Sequence, residues 1–103
     1  MKLMAKIALK ILEYLQASDK VFEEMCANDV DIDDPILFGE QLDVLYRKEY
    51  IEIPPRSLSE IDLSAINFID KIKSIETKVN VGITVDGALI IPKLRSISNR
   101  QKE

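Results

Sequence analysis

The sequence contains no histidine. That absence removes the usual general base near neutral pH and the commonest zinc ligand. It has one cysteine, Cys26. A disulfide framework needs pairs, so a reducing compartment, the cytoplasm, is the expected location. Glycine (3) and proline (4) are scarce, which argues against long loops. Gly39, Gly82 and Gly87 stand apart from one another, so there is no glycine-rich loop to cradle a phosphate. No apolar run approaches the roughly 20 residues a spanning helix requires. Near the N-terminus, Lys6, Lys10 and Glu13 interrupt what would be the apolar region of a signal peptide. Residues 1–18 are therefore expected to form the first helix of the fold.

Cys26 could be a nucleophile in principle. It shares the apolar face of its segment with Phe22 and Met25, and Glu23 and Glu24 adjoin it. Such surroundings are the opposite of what activates a thiol, so a buried structural cysteine is expected. No acid–base or nucleophile set assembles in the sequence. The chain is accordingly expected to be non-catalytic, with no cofactor, no resident metal and no small-molecule substrate.

What is present suffices for one core. Apolar residues make up 47% of 103 residues, well above the range of disordered chains. The net charge of −4 is unevenly distributed. Residues 1–53 hold 6 Lys/Arg against 12 Asp/Glu, a net of −6. Residues 54–103 hold 8 against 6, a net of +2. Nucleic-acid binding needs a basic surface, and the first half has the wrong sign for it.

Apolar side chains from Leu3 to Leu15 recur at helical spacing, which predicts a helix over 3–17. A second short helix is expected over 19–27, capped by Ser18 or Asp19. Asp34 before Pro35 combines a capping residue with a proline in the first turn and predicts a third helix over 34–48. Gly39 within it suggests close contact with another helix. Glu49 to Ile53 alternates and stops at Pro54-Pro55, a short strand. Ser57 to Glu60 forms a capping-box pattern opening a fourth helix over 57–75. Its apolar residues Leu58, Ile61, Ala65, Phe68, Ile72 and Ile75 keep a heptad rhythm, a candidate seam for a protein partner or a homodimer. Val79–Val85 and Ala88–Ile91 flank Asp86-Gly87, a preferred hairpin turn pair. A single domain is expected over 1–92, followed by a basic flexible tail over 93–103. The predicted core comprises Ile7, Ile11, Leu15, Phe22, Met25, Leu42, Leu45, Ile51, Phe68 and Ile72.

Asp29, Asp31, Asp33 and Glu40 fit positions 1, 3, 5 and 12 of a calcium-loop template. Asp34 occupies the position where that loop needs glycine, and Pro35 follows. An acidic connection, with Asp34 as cap and Val30 and Ile32 inserted in the core as a short strand, is the preferred assignment.

Three helices, a strand directly after the third and a later hairpin make the order of a winged helix. The stretch Gln41-Leu42-Asp43-Val44-Leu45-Tyr46-Arg47-Lys48-Glu49-Tyr50-Ile51-Glu52-Ile53 resembles the end of a winged-helix recognition helix running into its strand. The resemblance covers roughly residues 3–53, and the small phage- and bacillus-type YjcQ-like proteins look similar in size. Two departures stand out. Glu49 occupies a position where that pattern usually has glycine, and a helix separates the first strand from the hairpin. The resemblance implies an α+β, mainly helical winged-helix-like domain with a small antiparallel sheet. It also implies DNA binding as the default activity, with Gln41, Arg47 and Lys48 as contacts. Apart from the resemblance, the basic residues Lys93, Arg95 and Arg100 of the tail could touch phosphate, though a solvated tail is the commoner role of such residues. Against this, the start of the third helix offers only Asp33, Asp34, Pro35, Ile36, Leu37 and Phe38 to base edges. A protein-interaction or assembly module is therefore favoured over a DNA-binding regulator. DNA is disfavoured as a partner by the acidic first half, and no membrane partner is expected.

Overall fold

The computed structural model describes residues 2–54 and 68–100. Helix α1 (Ala5–Ala17) buries Ala5, Ala8, Ile11, Leu12 and Leu15, the stripe its periodicity predicts. Burying each large aliphatic of such a stripe stabilises by about 1.5–3 kcal/mol. Ser18 ends it in an extended conformation, and the Ser18 hydroxyl donates to Glu23 at 2.7 Å. Strand β1 (Glu23–Met25) follows, then a 3₁₀ turn (Ala27–Val30). Helix α2 (Pro35–Arg47) starts where Asp34 caps it: one carboxylate oxygen accepts the Ile36 and Leu37 N–H groups at 3.0 and 3.2 Å. Strand β2 (Ile51–Glu52), a short helix α3 (Phe68–Lys71), strand β3 (Val79–Ile83) and helix α4 (Val85–Arg100) complete the order.

Strand β3 is central. It pairs antiparallel with β1 through Glu23 opposite Val81 and Met25 opposite Val79. On its other side it pairs antiparallel with β2 through Ile51 opposite Ile83. The order β1-β3-β2, with α1 and α2 packed over the sheet, makes this an α+β, mainly helical, winged-helix-like domain. The core unites Ile11, Leu12 and Leu15 of α1 with Phe38, Leu42 and Leu45 of α2, and with Met25, Ile51 and Val81 of the sheet. Of the predicted core residues, Ile7 and Phe22 are only partly buried; the other eight are buried.

Four expectations are corrected. The helix expected over 19–27 is strand β1 and a 3₁₀ turn, because Glu23–Met25 completes the sheet against β3, and this pairing overrides local propensity. The hairpin expected over 79–92 is one strand followed by a helix. Both edges of β3 are already taken by β1 and β2, leaving no place for a strand over 88–92. Thr84 starts the helix instead: its hydroxyl accepts the Gly87 N–H at 3.0 Å and donates to the Glu49 carbonyl at 2.7 Å. Gly87 serves a close approach and not a turn, since a Cβ there would collide with the Tyr50 carbonyl oxygen. Residues 93–100, expected as a tail, continue α4, and Leu94 is buried.

The last correction concerns the fourth helix. Residues 57–67 of the expected 57–75, with Leu58, Ile61, Ala65 and the capping box, lie outside the described residues. Its described part is helical only to Lys71. The Thr77 hydroxyl accepts the N–H groups of Lys73 and Ser74 at 3.1 and 3.0 Å, and the Ser74 hydroxyl accepts that of Glu76 at 3.1 Å. These side chains capture N–H groups that a continuing helix would direct at its own carbonyls.

Candidate interaction surface

Helix α2 runs directly into β2, at the position where the sequence resemblance expects a recognition helix. Phe38, Leu42 and Leu45 face the core. Gln41, expected as a contact to nucleic acid, is 1% exposed. Its side-chain oxygen accepts the Met4 N–H at 2.8 Å and its amide nitrogen donates to the Lys2 carbonyl at 2.9 Å. Both ends of the amide are therefore spent on fastening the start of α1, which has no side-chain cap of its own. A second flank of α2 is covered by α3. A Cβ on Gly39 would sit 3.1 Å from the Ile69 Cα, which confirms the close helix contact expected at this glycine. The Tyr46 and Phe68 rings meet edge to face at 5.8 Å. Phe68 and Ile72 of the candidate seam are buried in the domain's own core, and Ile75 packs half-buried against it.

What remains outward on α2 is narrow. Ile36, Glu40 and Arg47 fall within about 40° of one another around the helix axis. Ile36 is 62% exposed, Glu40 is half-buried and Arg47 is exposed. The Arg47 guanidinium reaches back 2.9 Å to Asp43, whose side chain is buried. Lys48 stays exposed at the C-terminal end. The opposite end is acidic. Asp31, Asp33 and Asp34 are exposed there, ahead of the first turn.

The acidic connection is built by local bonding, and the short strand expected at Val30 and Ile32 is instead the 3₁₀ turn Ala27–Val30, ended by Asp31 in a left-handed conformation. Asp29 accepts the Cys26 N–H at 3.1 Å, Asp34 caps α2, and Val30 and Ile32 are buried. Among the described residues, no group of three or more Asp, Glu, Cys or His is arranged to hold a metal ion. Cys26 is buried and unpaired. A shallow depression of about 590 Å³ is lined by Lys10, Glu13, Tyr14, Asn28, Asp29, Val30 and Asp31. Burial lifts the Tyr14 hydroxyl above its ordinary pKa, and the Asp29 and Glu23 carboxylates add to that, against a smaller opposing effect of Lys78.

The cations expected at the C-terminus lie along α4. Lys93, Arg95 and Arg100 are exposed, and Arg95 is held 2.7 Å from Glu13 of α1. Sequence patterning did not single out Val85 and Leu89, which stand out from the same helix. A helical wheel over 85–100 would have placed both opposite Ile91 and Leu94, had these residues not been assigned to a hairpin. No described helix is long and apolar enough to cross a membrane. No family model, curated protein or solved structure gives a match to this chain.

Proposed function

We propose that this chain is a non-catalytic winged-helix-like module that binds another protein, and that α2 has lost the surface for reading DNA. The supporting observation is the outward end of α2. A recognition helix inserts its N-terminal residues among base edges. Here that end presents Asp31, Asp33 and Asp34 with exposed Ile36, while Gln41 is buried and saturated. Carboxylates are repelled by phosphates, and isoleucine offers base edges no hydrogen bond. An exposed aliphatic rimmed by acids suits a protein partner carrying an apolar spot within a basic rim.

A DNA-binding regulator is the second possibility, favoured by exposed Lys48 and by the cations of α4. Two of the six residues it would use already have acidic partners: Arg47 with Asp43 and Arg95 with Glu13. Titration of random duplex DNA followed by fluorescence anisotropy separates the two. At physiological salt, binding is expected no tighter than about 10⁻⁴ M, the weak end of non-specific association. Micromolar binding that weakens steeply with salt, and is lost in Lys48→Glu, would overturn the proposal.

A further inference from the structure

Five large apolar side chains are exposed among the described residues: Met4, Val21, Ile36, Val85 and Leu89. Only Val85 and Leu89 stand one turn apart on the same helix, at 77% and 71% exposure. Gly87, Ile91 and Leu94 form the buried stripe of α4. At about 100° per residue, Val85, Leu89, Pro92 and Ser96 fall within a 60° arc on the opposite side. Single exposed aliphatics need no explanation, but a stripe on a helix already anchored by its other face does.

The charges flanking this stripe indicate what covers it. Asp86, Lys93 and Arg100 are seven residues apart and run along one border. All three are exposed, and none has an ion-pair partner among the described residues. Leu89 lies between Asp86 and Lys93, three residues after one and four before the other. A border whose charges are opposite in sign and within one residue of equal distance from a central aliphatic is complementary to its own antiparallel copy.

We propose that α4 pairs with α4 of a second copy of this chain about a twofold axis through Leu89. Leu89 packs against the partner's Leu89, and Val85 covers the aliphatic stem of the partner's Lys93. Asp86 faces the partner's Lys93 and Lys93 faces the partner's Asp86, so the contact closes on itself with two ion pairs. An unrelated partner would require no such symmetry. The contact spans little more than two turns of each helix, below the size of a standard stable interface, so the dimer is weak, with a Kd on the order of 10⁻⁴ M. It uses a different surface from α2 and stands or falls independently of the function proposed above.

Sedimentation velocity over a concentration series tests it. The wild-type chain is expected to pass from monomer to dimer as concentration rises through about 10⁻⁴ M, and to dissociate more readily in high salt. Leu89→Glu is expected to stay monomeric with an unchanged circular dichroism spectrum and thermal midpoint, because the side chain is exposed. Asp86→Lys and Lys93→Asp should each weaken the dimer about tenfold, and the double exchange should recover most of the loss. A wild-type chain that stays monomeric to about 10⁻³ M would sink the proposal. So would a folded Leu89→Glu variant that dimerises like wild type, or a double exchange no better than its parents.

Discussion

At the scale of single residues, the backbone at Glu49 connects the sequence pattern to the structure. Glu49 has φ 65°, the left-handed conformation that favours glycine. It terminates α2: the Glu49 N–H donates to the Tyr46 carbonyl at 3.0 Å, and the Tyr50 N–H donates to the Leu45 carbonyl at 2.9 Å. This bonding pattern ordinarily ends in glycine. The Cβ of a non-glycine residue there costs about 1–2 kcal/mol. Glycine's extra freedom in the unfolded chain returns about 0.5–1 kcal/mol of that. Glu49→Gly is therefore expected to stabilise by about 0.5–1 kcal/mol, a rise of several degrees in Tm. Glu49→Ala keeps the Cβ and should leave Tm nearly unchanged. If both variants melt at the wild-type midpoint, the left-handed turn carries no strain. The winged-helix pattern has glycine at this position, so the departure noted in the sequence preserves the backbone shape and changes only its cost.

Among elements, α1 and α2 were legible in the sequence and β1 and α4 were not. Asp34-Pro35 and a helical stripe are local signals, and both ends of α2 fell within one residue of expectation. Strand β1 has no local signal. Glu23-Glu24-Met25 is a strand because Val79–Val81, more than fifty residues later, lies beside it. Helix α4 was obscured by Asp86-Gly87, which imitates a hairpin turn, and by Pro92 in its middle. The candidate site was legible in its charge and not in its geometry. Acidic residues before α2 could be counted, but nothing local marked Gln41 as buried. Proline inside a helix removes an N–H and costs about 3 kcal/mol relative to alanine. Pro92 also stiffens the unfolded chain, which offsets up to about 1 kcal/mol of this. Pro92→Ala should restore a donor to the Ala88 carbonyl and stabilise by about 2 kcal/mol, read as a higher urea midpoint with an unchanged m-value. A lower midpoint would mean that α4 requires its proline.

For the whole molecule, the question is where the fold ends. Composition suggested a domain closing at 92 and a basic tail beyond it. In the structure α4 packs chiefly on α1, and the contact continues past Pro92 through Leu94, which is 2% exposed, and half-buried Ile97. The Arg95–Glu13 pair spans the same two helices, but both side chains are half in solvent, so it contributes well under 1 kcal/mol. The apolar contacts dominate. Leu94→Ala is expected to cost about 2–5 kcal/mol, as for other buried leucines. A chain ending at Pro92 loses Leu94 and Ile97 together, and it uncovers the face of α1 beneath them. Total stability in a domain of this size is about 5–15 kcal/mol, so that truncation should leave the chain partly unfolded at room temperature. Urea titration of the full chain, Leu94→Ala and the truncated chain measures this directly. A truncated chain as stable as the full one would return residues 93–100 to the status of a tail. Arg95→Ala separates the two contributions: a loss beyond about 1 kcal/mol there would mean that the ion pair, and not the leucine, holds α4 on α1.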